Sequence, residues 1–152
     1  MKPVALITGA AGLIGGYLVR SAPRWVPGWE VRGVSRAEVD LTDRVQVQKL
    51  WDRHRPDLII HCAALSRTGV CEQDPAQARL INVEATRFLA TLARDVPFVF
   101  LSTDQVFDGA KGYYVETDAV RPLNVYGHTK AEAEQVVLGN PAHAVVRIAL
   151  TA

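Results

Sequence analysis

Thr8-Gly9-Ala10-Ala11-Gly12-Leu13-Ile14-Gly15 follows the apolar run Val4–Thr8 and leads into a segment that reads as a helix. Glycine serves three purposes in such a place. It supplies permissive torsions for a tight turn, a bare backbone where an anion must come close, and room for a helix to pack on a strand. A helix starting here aims its free N–H groups at the same point. The octet therefore predicts strand, phosphate-binding turn and helix, and with them an α/β fold. Glycine turns also join strands to helices where nothing binds, so this stretch specifies the fold more firmly than the ligand.

The pattern repeats along the chain. Val31–Val34, Leu58–Cys62, Phe98–Ser102 and Ala144–Ile148 are short enough for strands and apolar enough to be covered on both faces. Between them lie helices. Asp43 can cap one in which Val47, Leu50, Trp51 and His54 share a face, with Pro56 just beyond its end. Ile81, Ala85, Phe88, Leu89 and Leu92 form the buried stripe of another. A further helix runs from about Asn124 to Leu138, with Gly139 to terminate it and Pro141 beyond. Strands alternating with helices predict a doubly wound parallel sheet of Rossmann type with right-handed crossovers. No internal repeat, low-complexity tract or linker divides residues 1–152, which read as one domain.

Composition narrows the function classes. The chain is 49% hydrophobic and 22% charged, which excludes a disordered, collagenous or disulfide-scaffold protein. Seventeen Lys plus Arg against sixteen Asp plus Glu are scattered rather than striped, so charge offers no footprint for nucleic acid or an anionic membrane. Cys62 and Cys71 have neither a C-x-x-C spacing nor a His-rich neighbourhood. No metal site is expected, and a reducing, cytoplasmic setting is the default. Lys2 followed by the uncharged stretch Pro3–Val19 imitates a signal peptide, but Gly9, Gly12, Gly15 and Gly16 would break its apolar helix. No apolar run approaches the roughly 20 residues of a membrane span.

Tyr126 and Lys130 stand four residues apart on the predicted helix after Asn124, and so share one face. A phenol titrating near pH 10 is a poor acid–base catalyst at neutrality; a nearby ammonium brings it toward working pH. Ser102 and Thr103 end what is counted as the fifth major strand, at the edge where ligands of open α/β sheets lie. On its own each feature also has a bland reading, as surface decoration or a loop cap. The Gly-x-x-Gly-x-x-Gly spacing after the first strand, with Tyr-x-x-x-Lys downstream, resembles the short-chain dehydrogenase/reductase superfamily. Ser102-Thr103-Asp104-Gln105-Val106-Phe107-Asp108-Gly109 and Pro122-Leu123-Asn124-Val125-Tyr126-Gly127 resemble the dTDP-4-dehydrorhamnose reductase branch of its extended members.

That resemblance spans nearly the whole chain and implies roles. Thr103, Tyr126 and Lys130 would be catalytic, with Ser102 as the alternative hydroxyl and Lys130 also holding the nicotinamide ribose. Gly9, Ala11, Gly12, Leu13 and Ile14 would bind the cofactor's pyrophosphate side. Asp40 and Leu41 match the pair that contacts adenine. Cys62, Ala63 and Ala64 belong to a segment matching the family's Asn-Ala-Ala-Ala, from which His61 and Cys62 depart, and Asn82 matches an asparagine that organises the site. Asp104, Gln105 and Phe107 are expected on the substrate side. Related 4,6-dehydratases carry Thr-Asp-Glu where this chain has Gln105, and an amide cannot accept a proton as a carboxylate does. The expectation is therefore NADPH-dependent reduction of a nucleotide-linked keto sugar. Epimerases share the triad, and non-catalytic regulatory subunits share the fold. After the second strand the chain reads Ser35-Arg36 instead of an acid for the ribose 2′-OH, which favours NADP(H) over NAD(H), with Glu38 nearby as a complication. A homodimer is compatible with the family. The family's C-terminal substrate lobe is expected to be absent from these 152 residues.

Overall fold

The computed structural model describes residues 1–150. Five strands, β1 (Val4–Thr8), β2 (Glu30–Val34), β3 (Leu58–His61), β4 (Phe98–Thr103) and β5 (Ala144–Ile148), form one parallel sheet in the order β2-β1-β3-β4-β5. The strand expected to be fifth, carrying Ser102 and Thr103, is the fourth. The chain reverses its direction of travel at β1 and crosses to β3 on the other side. This reversal leaves a crevice between β1 and β3 at the carboxyl ends of the strands, where open α/β sheets bind ligands.

Among the described residues six helices accompany the strands: α1 (Leu13–Trp25), α2 (Arg44–His54), α3 (Thr68–Gln73), α4 (Pro75–Arg79), α5 (Ala85–Leu92) and α6 (Val125–Leu138). A π-turn over Leu80–Glu84 joins α4 to α5, and a 3-10 turn over Asp104–Val106 follows β4. The stretch Ile81–Leu92, expected as a helix, is helical throughout, starting in the π-turn and continuing as α5. Asp43 caps α2 by accepting from Val45 and Gln46 N–H, and Asn124 caps α6 by accepting from Gly127 N–H at 2.7 Å. Gly139 closes α6 in a right-handed conformation, so its left-handed capacity is not what ends the helix.

The main core lies where β1, β3 and β4 meet α2, α5 and α6. Leu6, Ile59, Phe98 and Phe100 are fully buried against Val47, Leu89, Ala133 and Val137. Each such large side chain contributes about 1.5–3 kcal/mol by leaving water. The helix stripes follow the sequence reading in part, since Val47, Leu50, Ala85 and Leu89 are buried while Trp51, Ile81 and Phe88 are half-buried. One expectation fails at the rim. The sequence predicts β5 covered on both faces, but Ala144 and Val146 are exposed, because among the described residues the face they share is left uncovered while Val145 packs on the core.

Candidate active site

A cleft of about 500 Å³ opens across the carboxyl ends of the strands. Every residue expected to bind a dinucleotide lines it. Gly9, Ala11, Gly12, Leu13 and Ile14 come from the turn after β1, Ser35 and Arg36 from the exit of β2, and Asp40 and Leu41 from the loop before α2. Cys62, Ala63 and Ala64 come from the exit of β3, and Tyr126 and Lys130 from α6. No side chain caps the first N–H groups of α1, and its first turn holds no acid. These free donors and the positive end of the helix dipole suit a pyrophosphate. Gly9 has φ +71°, and a Cβ there would lie 2.7 Å from Ala63 N, so the turn is pressed against the exit of β3. Both the donors and the bare, close-set backbone fit a dinucleotide.

At the other end of the cleft, α6 buries an unusual stripe. Tyr126, Thr129, Lys130, Ala133, Glu134 and Val137 all face inward. Lys130 is 3% exposed; its Nζ donates to Leu101 O at 2.6 Å and lies 3.9 Å from the centre of the Phe100 ring. Burial pulls its pKa down to about 7, against the fields of Glu134 and the Cys62 thiol, which raise it. Burial raises the Tyr126 phenol, while the Thr103 hydroxyl beside it works in the opposite direction. The net direction is upward, so the expected lowering of the phenol is not what this arrangement produces. The phenol therefore keeps its proton through neutrality and is a weaker acid than a free tyrosine. The Thr103 hydroxyl donates to Asp104 Oδ1 and accepts from Gln105 N–H, both at 3.2 Å. Ser102 lines the cleft, and its Oγ is buried without a partner. Asp104 and Gln105 are exposed on the 3-10 turn and Phe107 stacks on Tyr114 at 4.3 Å; neither these three nor Thr103, the hydroxyl expected to be catalytic, lines the cleft.

A hydrogen-bonded chain joins the two ends. Asn82, 1% exposed within the π-turn, accepts from Leu65 N–H at 2.8 Å and donates to Thr129 Oγ1 at 2.9 Å. Thr129 in turn donates to Tyr126 O at 2.8 Å. On the other side Thr86 donates to Asn82 O at 2.8 Å, so it must accept from His61 Nε2 at 2.9 Å. His61 Nδ1 is then the acceptor for the Thr8 hydroxyl at 2.6 Å, and Thr8 Oγ1 receives Ala63 N–H at 3.3 Å. One tautomer satisfies the whole chain, and it links the start of the glycine turn to the backbone of Tyr126.

Residues 1–151 match the RmlD substrate binding domain family. The chain belongs to that family. A dTDP-4-keto-6-deoxy-D-glucose reductase of Streptomyces niveus is 43% identical over 136 residues, covering 88% of this chain and 46% of that protein. The methionine adenosyltransferase 2 subunit beta of Xenopus laevis is 39% identical over 154 residues, covering 95% of this chain and 46% of that protein. The crystal structure of dTDP-4-dehydrorhamnose reductase from Bacillus anthracis in complex with NADP superposes with a TM-score of 0.91 at 31% identity, covering 98% of this chain and 54% of that one. The chain thus spans about half the length of the RmlD-family relatives it matches. No helix among the described residues is long and apolar enough to cross a membrane.

Two features of this RmlD-family site lay outside the sequence reading. Glu134 is fully buried and grips Arg147 of β5 at 2.6–3.2 Å, an ion pair signalled only by its position four residues after Lys130. His61 was noted as a departure without a role. Burial, aided by the charge of Lys130, pushes its pKa to about 3 from an ordinary 6.5. Between those values the unfolded chain binds a proton that the folded one refuses, so the folded state is progressively destabilised as pH falls below 6.5. From pH 6.5 to 5 this should cost about 2 kcal/mol. Urea unfolding at the two pH values should show that loss in the wild type and a clearly smaller one in His61→Asn. An equal pH dependence in both proteins would remove His61 from the account.

Proposed function

We propose that this chain forms the cofactor-binding and proton-donating part of an NADPH-dependent reductase acting on a nucleotide-linked 4-keto-6-deoxy sugar. The observation that carries this reading is that Tyr126 and Lys130 open into the same cleft as the uncapped N-terminus of α1. Bound there, the dinucleotide would supply hydride to the sugar carbonyl carbon. Tyr126, kept protonated by burial, would give its proton to the carbonyl oxygen, while Thr103 would hold that oxygen by hydrogen bond. Lys130 would hold the nicotinamide ribose. The Asn82–Thr129 link would keep the start of α6, and so the phenol, in register with the glycine turn. Gln105, exposed beside Thr103, offers no carboxylate for eliminating water.

Kinship with a methionine adenosyltransferase subunit supports a second reading, in which the fold binds the dinucleotide for a regulatory purpose. Intact Thr103, Tyr126 and Lys130 favour the reductase. Incubating the full-length protein with NADPH and a dTDP-4-keto-6-deoxyhexose separates the possibilities. Stoichiometric NADPH oxidation is expected. An epimerised sugar without net oxidation would indicate an epimerase, and cofactor binding with no turnover would favour the regulatory subunit.

A further inference from the structure

We propose that Glu38 sets the cofactor selectivity of the cleft, because its carboxylate already occupies the donors that a ribose 2′-phosphate would take. The inference rests on the reading that this cleft holds a nicotinamide dinucleotide with its adenosine end at the exit of β2. Ser35 is the first residue after β2 and lines the cleft. Its backbone N–H and its hydroxyl both donate to the same oxygen, Glu38 Oε2, each at 2.7 Å. Glu38 N–H and Val39 N–H bond back to Ser35 O at 3.1 Å, and this tight turn is what brings the carboxylate onto Ser35. The two bonds to Ser35 lower the Glu38 pKa, so the group is ionised at neutral pH.

Arg36, next in the chain, is the cation lining this end of the cleft, and it makes no ion pair among the described residues. The two side chains therefore act in opposite directions. A 2′-phosphate gains Arg36 but must displace a like-charged group from two charge-assisted hydrogen bonds. A 2′-hydroxyl displaces nothing, since it can donate to the second carboxylate oxygen, which has no protein donor. The same contact has a purely structural counterpart: Ser-x-x-Glu is a capping box, and Glu38 could serve only the turn.

Glu38→Gln separates the two roles. The amide oxygen can still accept from Ser35 and keep the turn, but the charge is gone. Dissociation constants for NADPH and NADH, measured by nicotinamide fluorescence, are the readout, with thermal melting as the check on folding. In the wild type the two affinities are expected within about tenfold of each other, the opposed charges nearly cancelling. Glu38→Gln should tighten NADPH about tenfold and leave NADH unchanged or weaker, and Arg36→Ala should weaken NADPH about tenfold with NADH little moved. Should Glu38→Gln melt early, Glu38→Ala in the Ser35→Ala background, where the side-chain bond is absent, must move the NADPH-to-NADH ratio the same way relative to Ser35→Ala. An unmoved ratio with measurable binding would overturn the role of Glu38 alone. Binding of neither dinucleotide by the wild type would overturn the assignment of the cleft, and this inference with it.

Discussion

Full-length protein carrying Tyr126→Phe is expected to lose at least about 10²-fold in kcat for keto-sugar reduction while binding NADPH within about threefold of wild type. The substitution removes one hydroxyl from a side chain that is 8% exposed, and the ring that packs against Cys71 and Ala78 remains. What disappears is the proton donor. Lys130 keeps its bond to Leu101 O, so its ammonium is still presented to the cleft. A fall in kcat with unchanged affinity is the signature of an interaction made in the transition state rather than the ground state. The pH profile gives a second check. Because burial raises the Tyr126 pKa, the phenol stays protonated through neutrality, and the acid it supplies is lost only as pH rises past that raised value. A variant that still turns over at the wild-type rate would end the assignment of Tyr126 as the acid.

The strands and most helix positions were legible because burial on a parallel sheet leaves compact apolar runs such as Phe98–Ser102. The glycine turn was legible because backbone approach leaves its mark in composition. Failures cluster where tertiary context decides. α3 and α4 are too short for periodicity, and Pro75 and Asp74 mark a start that a loop would mark equally well. The π-turn has no sequence pattern of its own; its place is tied to Asn82, whose side chain bonds both Leu65 and Thr129.

α6 shows the same division inside one helix. Its ends could be read from Asn124 and Gly139, but its buried face carries Lys130 and Glu134 in place of aliphatic residues. A buried polar stripe defeats an amphipathic reading and is itself the mark of a site, since those charges must find partners: Leu101 O for the lysine, Arg147 for the glutamate. In the sequence Arg147 is a single basic residue inside the apolar run Ala144–Ile148. Only the register that sets it opposite Ser102 beside α6 reveals the pairing. Glu38 is the converse case, a Ser-x-x-Glu spacing visible in the chain whose hold on both Ser35 donors exists only in the folded turn.

Gly12→Val is expected to abolish dinucleotide binding, with NADPH and NADH both weakened at least about 10²-fold, or about 2.7 kcal/mol, while the melting temperature changes little. The contrast with its neighbour makes this a clean test. Gly9 is held at φ +71° with backbone 2.7 Å from an added Cβ, so any side chain there disturbs the fold and a loss of binding would be uninformative. Gly12 sits at φ −81°, ψ 172°, an extended conformation that a β-branched residue accepts readily. The nearest atom an added Cβ would meet is Gly9 O at 3.2 Å, which needs to yield by only a few tenths of an ångström. Gly12 is also exposed at the mouth of the cleft, so the isopropyl group projects over the N–H donors of α1 instead of into the core. The folded protein should therefore survive with its anion site covered. Fluorescence titration of both cofactors beside a thermal melt decides the matter, and undiminished affinity in a well-folded Gly12→Val protein would show that the pyrophosphate does not sit at this turn.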